Sequence, residues 1–273
     1  MTAQPSPTSS APPLVAVTGA AGRVGRLTAR ALAGRYRLRL VDLEWPDRPE
    51  DDPLDEAVND AERLAVDLRD PAAWAPVVEG ADFVVHLAAQ PSPEIGVREA
   101  VEDVAMPTAH LIAAAERSAL QRIVFASSIH AMGLYERQGQ HPIDPAWPTA
   151  PCCEYGTAKV FSEHLLRLLT ERTPIAVVCL RLGLTGHRPT TPHSSSHWLG
   201  DEDFGRLLRG ALTADVCFGA YFGVSVEAQQ RWDVSATKAD LGYQPAELPP
   251  PATEPDGTPG PQHCLMVPPE ARD

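Results

Sequence analysis

The sequence predicts an α/β fold, a parallel sheet wound on both faces by helices, and three observations carry that reading. Short apolar runs alternate five times with helical-period segments between residues 14 and 128, as successive strand-helix-strand units do. The first run ends in a glycine-rich bend, Thr18-Gly19-Ala20-Ala21-Gly22-Arg23-Val24-Gly25, that opens directly into a helical segment. An acidic residue, Asp42, closes the second run.

The bend has the parts of a dinucleotide turn. Gly19 permits the sharp reversal, Gly22 lets backbone approach a pyrophosphate, and Gly25 lets helix and strand pack closely, with the helix N-terminus facing the negative charge. Its Gly-x-x-Gly-x-x-Gly spacing is looser than Gly-x-Gly-x-x-Gly, so the motif draws its weight from its position after the first strand. A helix over 26–33 follows, then a strand over 36–42. Asp42 stands 17 positions beyond Gly25, where a carboxylate accepts both adenosine ribose hydroxyls and repels a 2′-phosphate. NAD is therefore expected in preference to NADP. Arg23 is the one dissenting residue, since a base in the turn can attract that phosphate.

Residues 44–60 are proline-rich and acidic and read as a surface connection. A third strand over 63–66 leads to Asp67-Leu68, and Pro71 opens a short helix to residue 78. The fourth strand, 82–89, ends in small residues that leave room for a ligand. Apolar positions recur at helical spacing over 96–118, where Pro107 is expected to kink or break the run. A buried fifth strand over 123–128, a helix over 155–170 and a sixth strand over 175–181 complete the regular pattern. Beyond residue 182 it loosens into a polar loop (187–197), a helix (201–212), a further strand (216–226) and a short helix (235–241) ending at Gly242.

The expected organisation is thus a poorly ordered tail over 1–13, a Rossmann-type core over 14–182, a small substrate-covering portion over 183–247 and a proline-rich tail over 248–273. A formal charge of −13 with no cluster of Lys and Arg argues against a nucleic-acid partner. No apolar run is long enough to cross a bilayer, so a soluble cytoplasmic protein is expected. Five cysteines without C-x-x-C spacing read as reduced thiols, with the adjacent Cys152 and Cys153 as loop residues.

The chemistry converges on the strand ends. Ser128 terminates the fifth strand, and Tyr155 and Lys159, four apart on the next helix, share one face. A phenol beside an ammonium and a pyridinium cation is stabilised as phenolate, so Tyr155 can exchange the substrate hydroxyl proton while hydride passes to or from a nicotinamide. Ser128 would hold the same oxygen, and Lys159 the nicotinamide ribose.

These motifs, with His86-Leu87-Ala88-Ala89 and Phe125-Ala126-Ser127-Ser128, resemble the extended short-chain dehydrogenase/reductases, the NAD-dependent epimerase/dehydratase family. Residues 122–130, 198–204, Trp232-Asp233 and 241–245 are similar to the compact uronate dehydrogenases. The resemblance implies an NAD-dependent oxidoreductase with Ser128, Tyr155 and Lys159 as catalytic triad. By position it puts Gly19, Ala21, Gly22, Arg23 and Val24 at the pyrophosphate, Asp42 at the adenosine ribose, Asp67 and Leu68 at the adenine, and Leu87, Ala88 and Ala89 on the nicotinamide side, with Tyr155 and Lys159 as cofactor contacts too. Ser92, Ile129, His130, Leu184 and His193 fall at substrate positions. Ile129, Leu184 and His193 replace an asparagine, a serine and the carboxylate-clamping arginine of uronate dehydrogenases, which argues against a hexuronate substrate. Asp103 stands where the family places an asparagine supporting the proton relay.

The expected substrate is a small sugar-like or natural-product molecule carrying a secondary alcohol or cyclic hemiacetal. Two other readings stay open, an epimerase or dehydratase that retains NAD and a non-catalytic NAD-binding sensor. The resemblance also implies a dimer or higher assembly. His130, His187, His193 and His197 lack an accompanying carboxylate pattern, so no metal site is expected.

Overall fold

The structure, a computed structural model, describes residues 11–45, 58, 60–255 and 264–266. The apolar runs form strands β1 (Leu14–Thr18), β2 (Arg37–Asp42), β3 (Glu62–Ala65), β4 (Phe83–His86), β5 (Arg122–Ser128), β6 (Ala176–Leu182) and β7 (Phe218–Gly223). They pair in parallel throughout, in the order β3-β2-β1-β4-β5-β6-β7. All five residues of β1 are buried, because the sheet is covered on both faces and a polar alternation has no solvent side to meet.

One face packs against α1 (Arg23–Leu32) and α5 (Asp201–Thr213), with Leu32, Phe204, Leu207 and Leu208 in its core. The other packs against α2 (Trp74–Val78), α3 (Met106–Ala115) and α4 (Glu154–Arg172), through Trp74, Leu111, Leu166 and Leu169. The chain leaves β1 toward β2 and β3 and returns through β4 on the other side. That reversal opens a crevice at the carboxyl ends of β1 and β4.

Several expectations are corrected. The sheet extends past residue 182 into the portion over 183–247, where β7 completes it beside β6 and α5 packs on α1. Both bury an apolar stripe that the edge of a six-stranded sheet would leave open. The fourth strand stops at His86, and Leu87 to Ala89 turn away as loop. Pro107 does not break its helix. A π-helical segment, Ala100–Ala105, widens the coil just before it and relieves the clash a proline ring makes with the carbonyl four residues back. Helix α6 (Ser235–Leu241) ends on Gly242 at φ 62°, as expected.

Residues 1–10 of the expected N-terminal tail, and most of the connection over 44–60, lie outside the described residues. Within the stretch read as a C-terminal tail, Cys264 and Met266 are buried. They join a third core with Ile129, Met132, Ile143, Tyr155 and Trp232, because a proline-rich composition does not prevent two apolar side chains from docking. No helix among the described residues is long and apolar enough to cross a membrane.

Candidate active site

The glycine bend is built as its spacing demands. Gly19 adopts φ 70°, and a Cβ there would lie 2.9 Å from the backbone nitrogen of Ala88. A Cβ on Gly25 would come within 2.1 Å of the Gly19 carbonyl oxygen, so α1 starts hard against the turn. Asp42, at the end of β2, accepts hydrogen bonds from the backbone N–H of Ala21 at 2.8 Å and of Leu43 at 2.7 Å. The carboxylate therefore braces the bend it was expected to accompany. The Arg23 guanidinium lies 2.8 Å from Nε2 of His187, which gives this base a partner on the far side of the cleft.

On the opposite wall, the Thr18 hydroxyl accepts from the N–H groups of Leu87 and Ala88, each at 3.2 Å, and meets Nδ1 of His86 at 2.8 Å. Burial, followed by the nearby Lys159 charge, pushes His86 down to about 3, so its ring stays neutral. This neutral ring and hydroxyl pin the loop that follows β4.

Ser128 ends β5, and its Oγ accepts from the backbone N–H of His130 at 3.2 Å. Tyr155 and Lys159 come from the first turns of α4, where a Cβ on Gly156 would meet the His130 carbonyl oxygen at 2.4 Å. Glycine at that position lets the helix start beside the strand end. Lys159 is 2% exposed, with Nζ 4.8 Å from the Phe125 ring centroid and 5.5 Å from that of Tyr155. Burial drives its ammonium down to about 7, with the Glu163 and Cys179 charges opposing. The Tyr155 phenol is pushed up by burial and by Cys153, against a hydrogen bond with Ser128. In this buried surrounding the cost of a negative charge exceeds what the Ser128 hydrogen bond returns; the expected phenolate counts on a nicotinamide cation beside it as well.

One cleft of about 1090 Å³ gathers these groups. Gly19, Ala21, Gly22, Arg23 and Val24 line it together with Asp42, Asp67 and Leu68 at one end. Leu87, Ala88 and Ala89 line its middle, near Ser128, Tyr155 and Lys159. Ile129, His130, Leu184 and His193 line it as well. Ser92 does not line it; its Oγ instead accepts from the N–H of Glu94 at 3.2 Å within a local turn.

Asp103 lines the cleft from the π-helical segment, with Arg69 Nη1 3.4 Å from its carboxylate. Arg69 also binds Asp67 at 2.8 Å and holds that carboxyl below its ordinary range. Arg69, His197, Cys264 and Met266 are lining residues that sequence reasoning missed. A lone cysteine in a proline-rich stretch was the available signal for Cys264.

The histidines separate. The rings of His193 and His197 lie 4.5 Å apart, and His187 faces Arg23. His130 stands elsewhere, among Cys152, Cys153 and Cys264. Burial lowers its pKa, but hydrogen bonds with Cys153 and Cys264 outweigh that and raise it to about 9.

The sequence profile of the NAD dependent epimerase/dehydratase family matches residues 15–199, from the first strand through α4 and beyond. The chain belongs to that family. It is 31% identical to the uronate dehydrogenase of Pseudomonas putida, over 85% of this chain and 83% of the relative. It is 29% identical to the NAD-dependent glucose-6-phosphate dehydrogenase of Haloferax volcanii, over 85% of this chain and 93% of the relative. The structure of uronate dehydrogenase from Agrobacterium tumefaciens superposes with a TM-score of 0.76 at 28% identity, covering 90% of this chain and 93% of that one. A mutant of the same enzyme complexed with NAD superposes with a TM-score of 0.76, again at 28% identity, over 90% of this chain and 94% of that one. The member of the epimerase/dehydratase family described here is thus an NAD-dependent enzyme of the short-chain dehydrogenase/reductase type, as its motifs predicted.

Proposed function

We propose that this enzyme oxidises a secondary alcohol or cyclic hemiacetal carbon of a small sugar-like molecule, or reduces the corresponding carbonyl, with Tyr155 as acid and base. The observation that carries the reading is the convergence of Ser128, Tyr155 and Lys159 in the cleft whose far end holds Asp42 and the glycine bend. NAD, when bound, supplies the hydride acceptor. The left-handed Gly19 and the open backbone of the bend fit its diphosphate, and the Asp42 carboxylate fits an unphosphorylated ribose, so NAD is preferred to NADP.

The protein's part is proton handling and positioning. Ser128 holds the reacting oxygen, Tyr155 takes its proton, and the buried Lys159 stabilises the phenolate and orients the ribose hydroxyls. Burial of the phenol keeps bulk water from competing for that proton.

Relatives include dehydrogenases of glucose 6-phosphate, uronate and L-arabinose. In this chain the substrate positions carry Ile129, Leu184, His130 and His193, with no guanidinium among them to hold a carboxylate through two parallel hydrogen bonds. A sugar or polyol without a hexuronate carboxylate is the preferred class. The reading also includes a dimer or higher assembly, measurable by sedimentation. NADH formation across aldoses, sugar phosphates and uronates, with wild type against Tyr155→Phe, tests the assignment. Equal turnover by the two proteins would remove Tyr155 from the chemistry.

A further inference from the structure

Beside the substrate end of the cleft, four side chains from three separate stretches turn their ligand atoms inward. Cys152 and Cys153 precede α4, His130 follows β5, and Cys264 comes from the C-terminal segment. Nδ1 of His130 lies 3.2 Å from Sγ of Cys152, 3.6 Å from Sγ of Cys153 and 3.4 Å from Sγ of Cys264. The Cys152 and Cys264 sulfurs are 3.6 Å apart, and all four ligand atoms lie within 4.8 Å of one another. We propose that His130, Cys152, Cys153 and Cys264 form a structural zinc site that anchors the C-terminal segment to the wall of the substrate pocket.

These four spacings are close to those of a tetrahedron around a zinc ion. Zn–S bonds of about 2.3 Å and Zn–N bonds of about 2.0 Å place sulfurs roughly 3.8 Å apart and sulfur and nitrogen roughly 3.5 Å apart. Three thiols and one imidazole held only by hydrogen bonds have no reason to converge in this way, since each thiol is a weak donor satisfied by one partner. Three soft sulfurs and one imidazole select zinc over magnesium or calcium, which take oxygen ligands. All four positions are filled by protein, the mark of a structural site; no coordination position is left for a reacting oxygen.

The surroundings are shaped for the cluster. Cys152 and Cys264 are each 1% exposed. A Cβ on Gly133 would come within 2.3 Å of Sγ of Cys152 and 2.9 Å of Cε of Met266, so only glycine leaves room there. The N–H of Leu265 donates to the carbonyl of Cys152 at 2.8 Å, holding the segment in register beside the ligands. Sγ of Cys153 accepts from the N–H of Gly156 at 3.4 Å, which fixes this ligand atom at the start of the 19-residue α4. On binding, the thiols and the imidazole release to solvent whatever protons their ligand atoms carry, and the four-coordinate centre of Zn(II), three thiolates and a neutral imidazole carries one net negative charge. The expectation of no metal came from the histidines alone; the partners His130 meets are sulfurs.

The site stands independently of the hydride-transfer reading, and its test needs no substrate. The full chain, purified under reducing conditions without chelator, is expected to contain close to one zinc per chain by elemental analysis. Replacing the metal with cobalt(II) is expected to give the thiolate charge-transfer absorption and strong visible bands of a tetrahedral sulfur-ligated ion. Cys264→Ser is expected to lower retained zinc at least about tenfold after dialysis against a weak chelator, while Cys217→Ser, at an exposed cysteine outside the cluster, retains it. Because Cys264 lies outside the sheet and its helices, its replacement leaves the body intact, which circular dichroism verifies. Zinc-free protein that gives no cobalt spectrum, or zinc retained in a Cys152→Ser/Cys264→Ser double variant, overturns the proposal. So does a Cys152–Cys264 disulfide in the freshly purified chain with no bound metal.

Discussion

Arg181 on β6 grips Glu163 on α4 through two parallel hydrogen bonds, Nε to Oε1 at 3.0 Å and Nη2 to Oε2 at 2.8 Å, with both side chains 4% exposed. The Ser127 hydroxyl donates to the same carboxylate, so one buried acid ties α4 to two central strands. Glu163 sits one turn beyond Lys159 and fixes the helix that carries both candidate catalytic side chains of that element.

Breaking this pair should therefore unsettle the whole molecule. Glu163→Gln leaves a buried guanidinium without its counter-charge, and the expected loss is about 3–5 kcal/mol in urea unfolding. A change smaller than about 1 kcal/mol would mean that Arg181 finds other partners, such as the Pro145 carbonyl it already reaches at 2.9 Å.

Lys159 makes stability depend on pH. Its pKa is lowered from 10.5 to about 7 by burial. Below about pH 7 the amine is protonated in folded and unfolded chains alike, and the full cost of the buried charge is present. Between pH 7 and 10.5 the unfolded chain binds the extra proton, so this cost declines as pH rises. The groups facing the ammonium are Tyr155 and Glu163 on its own helix, His86 on β4, Phe125 on β5 and Cys179 on β6. Lys159→Met is expected to raise the Tm at pH 6, by roughly 2–4 °C for each kcal/mol regained, and to raise it less at pH 9. The same gain at both pH values, measured by calorimetry, would contradict a buried charge.

For Tyr155→Phe the expected result is a kcat lower by at least about 100-fold with NAD binding unchanged. Tryptophan fluorescence titration and stopped-flow NADH absorbance separate the two effects. Weaker NAD binding with unaltered chemistry would instead leave the phenol as a cofactor contact alone.

Asp42→Ala removes a carboxylate that braces the N–H of Ala21 at 2.8 Å. Loss of charge-assisted hydrogen bonds of about 1.5–3 kcal/mol should raise the NAD KM about 10- to 100-fold. NADP, freed from repulsion, should lose less or gain. Parallel kcat/KM measurements with both cofactors decide it.

Gly25→Ala drives a methyl group to 2.1 Å from the Gly19 carbonyl oxygen, which is backbone and cannot swing aside. The turn must open, at about 1–3 kcal/mol, and NAD binding should weaken more than stability does. Isothermal titration beside thermal melting shows which is lost first.

What the sequence determined by itself was everything encoded locally. The glycine spacing at 19–25, the acid at the end of β2, the serine ending β5 and the four-residue step from Tyr155 to Lys159 are read from neighbouring positions, because turns and helix faces are set by nearby residues. Only the tertiary structure decided contacts between distant stretches. It brought β7 to the sheet edge, paired Glu163 with Arg181 across 18 positions, and carried Cys264 across 112 positions to Cys152 and 134 to His130. Such meetings depend on where the folded chain returns in space, and burial rather than sequence distance selects them.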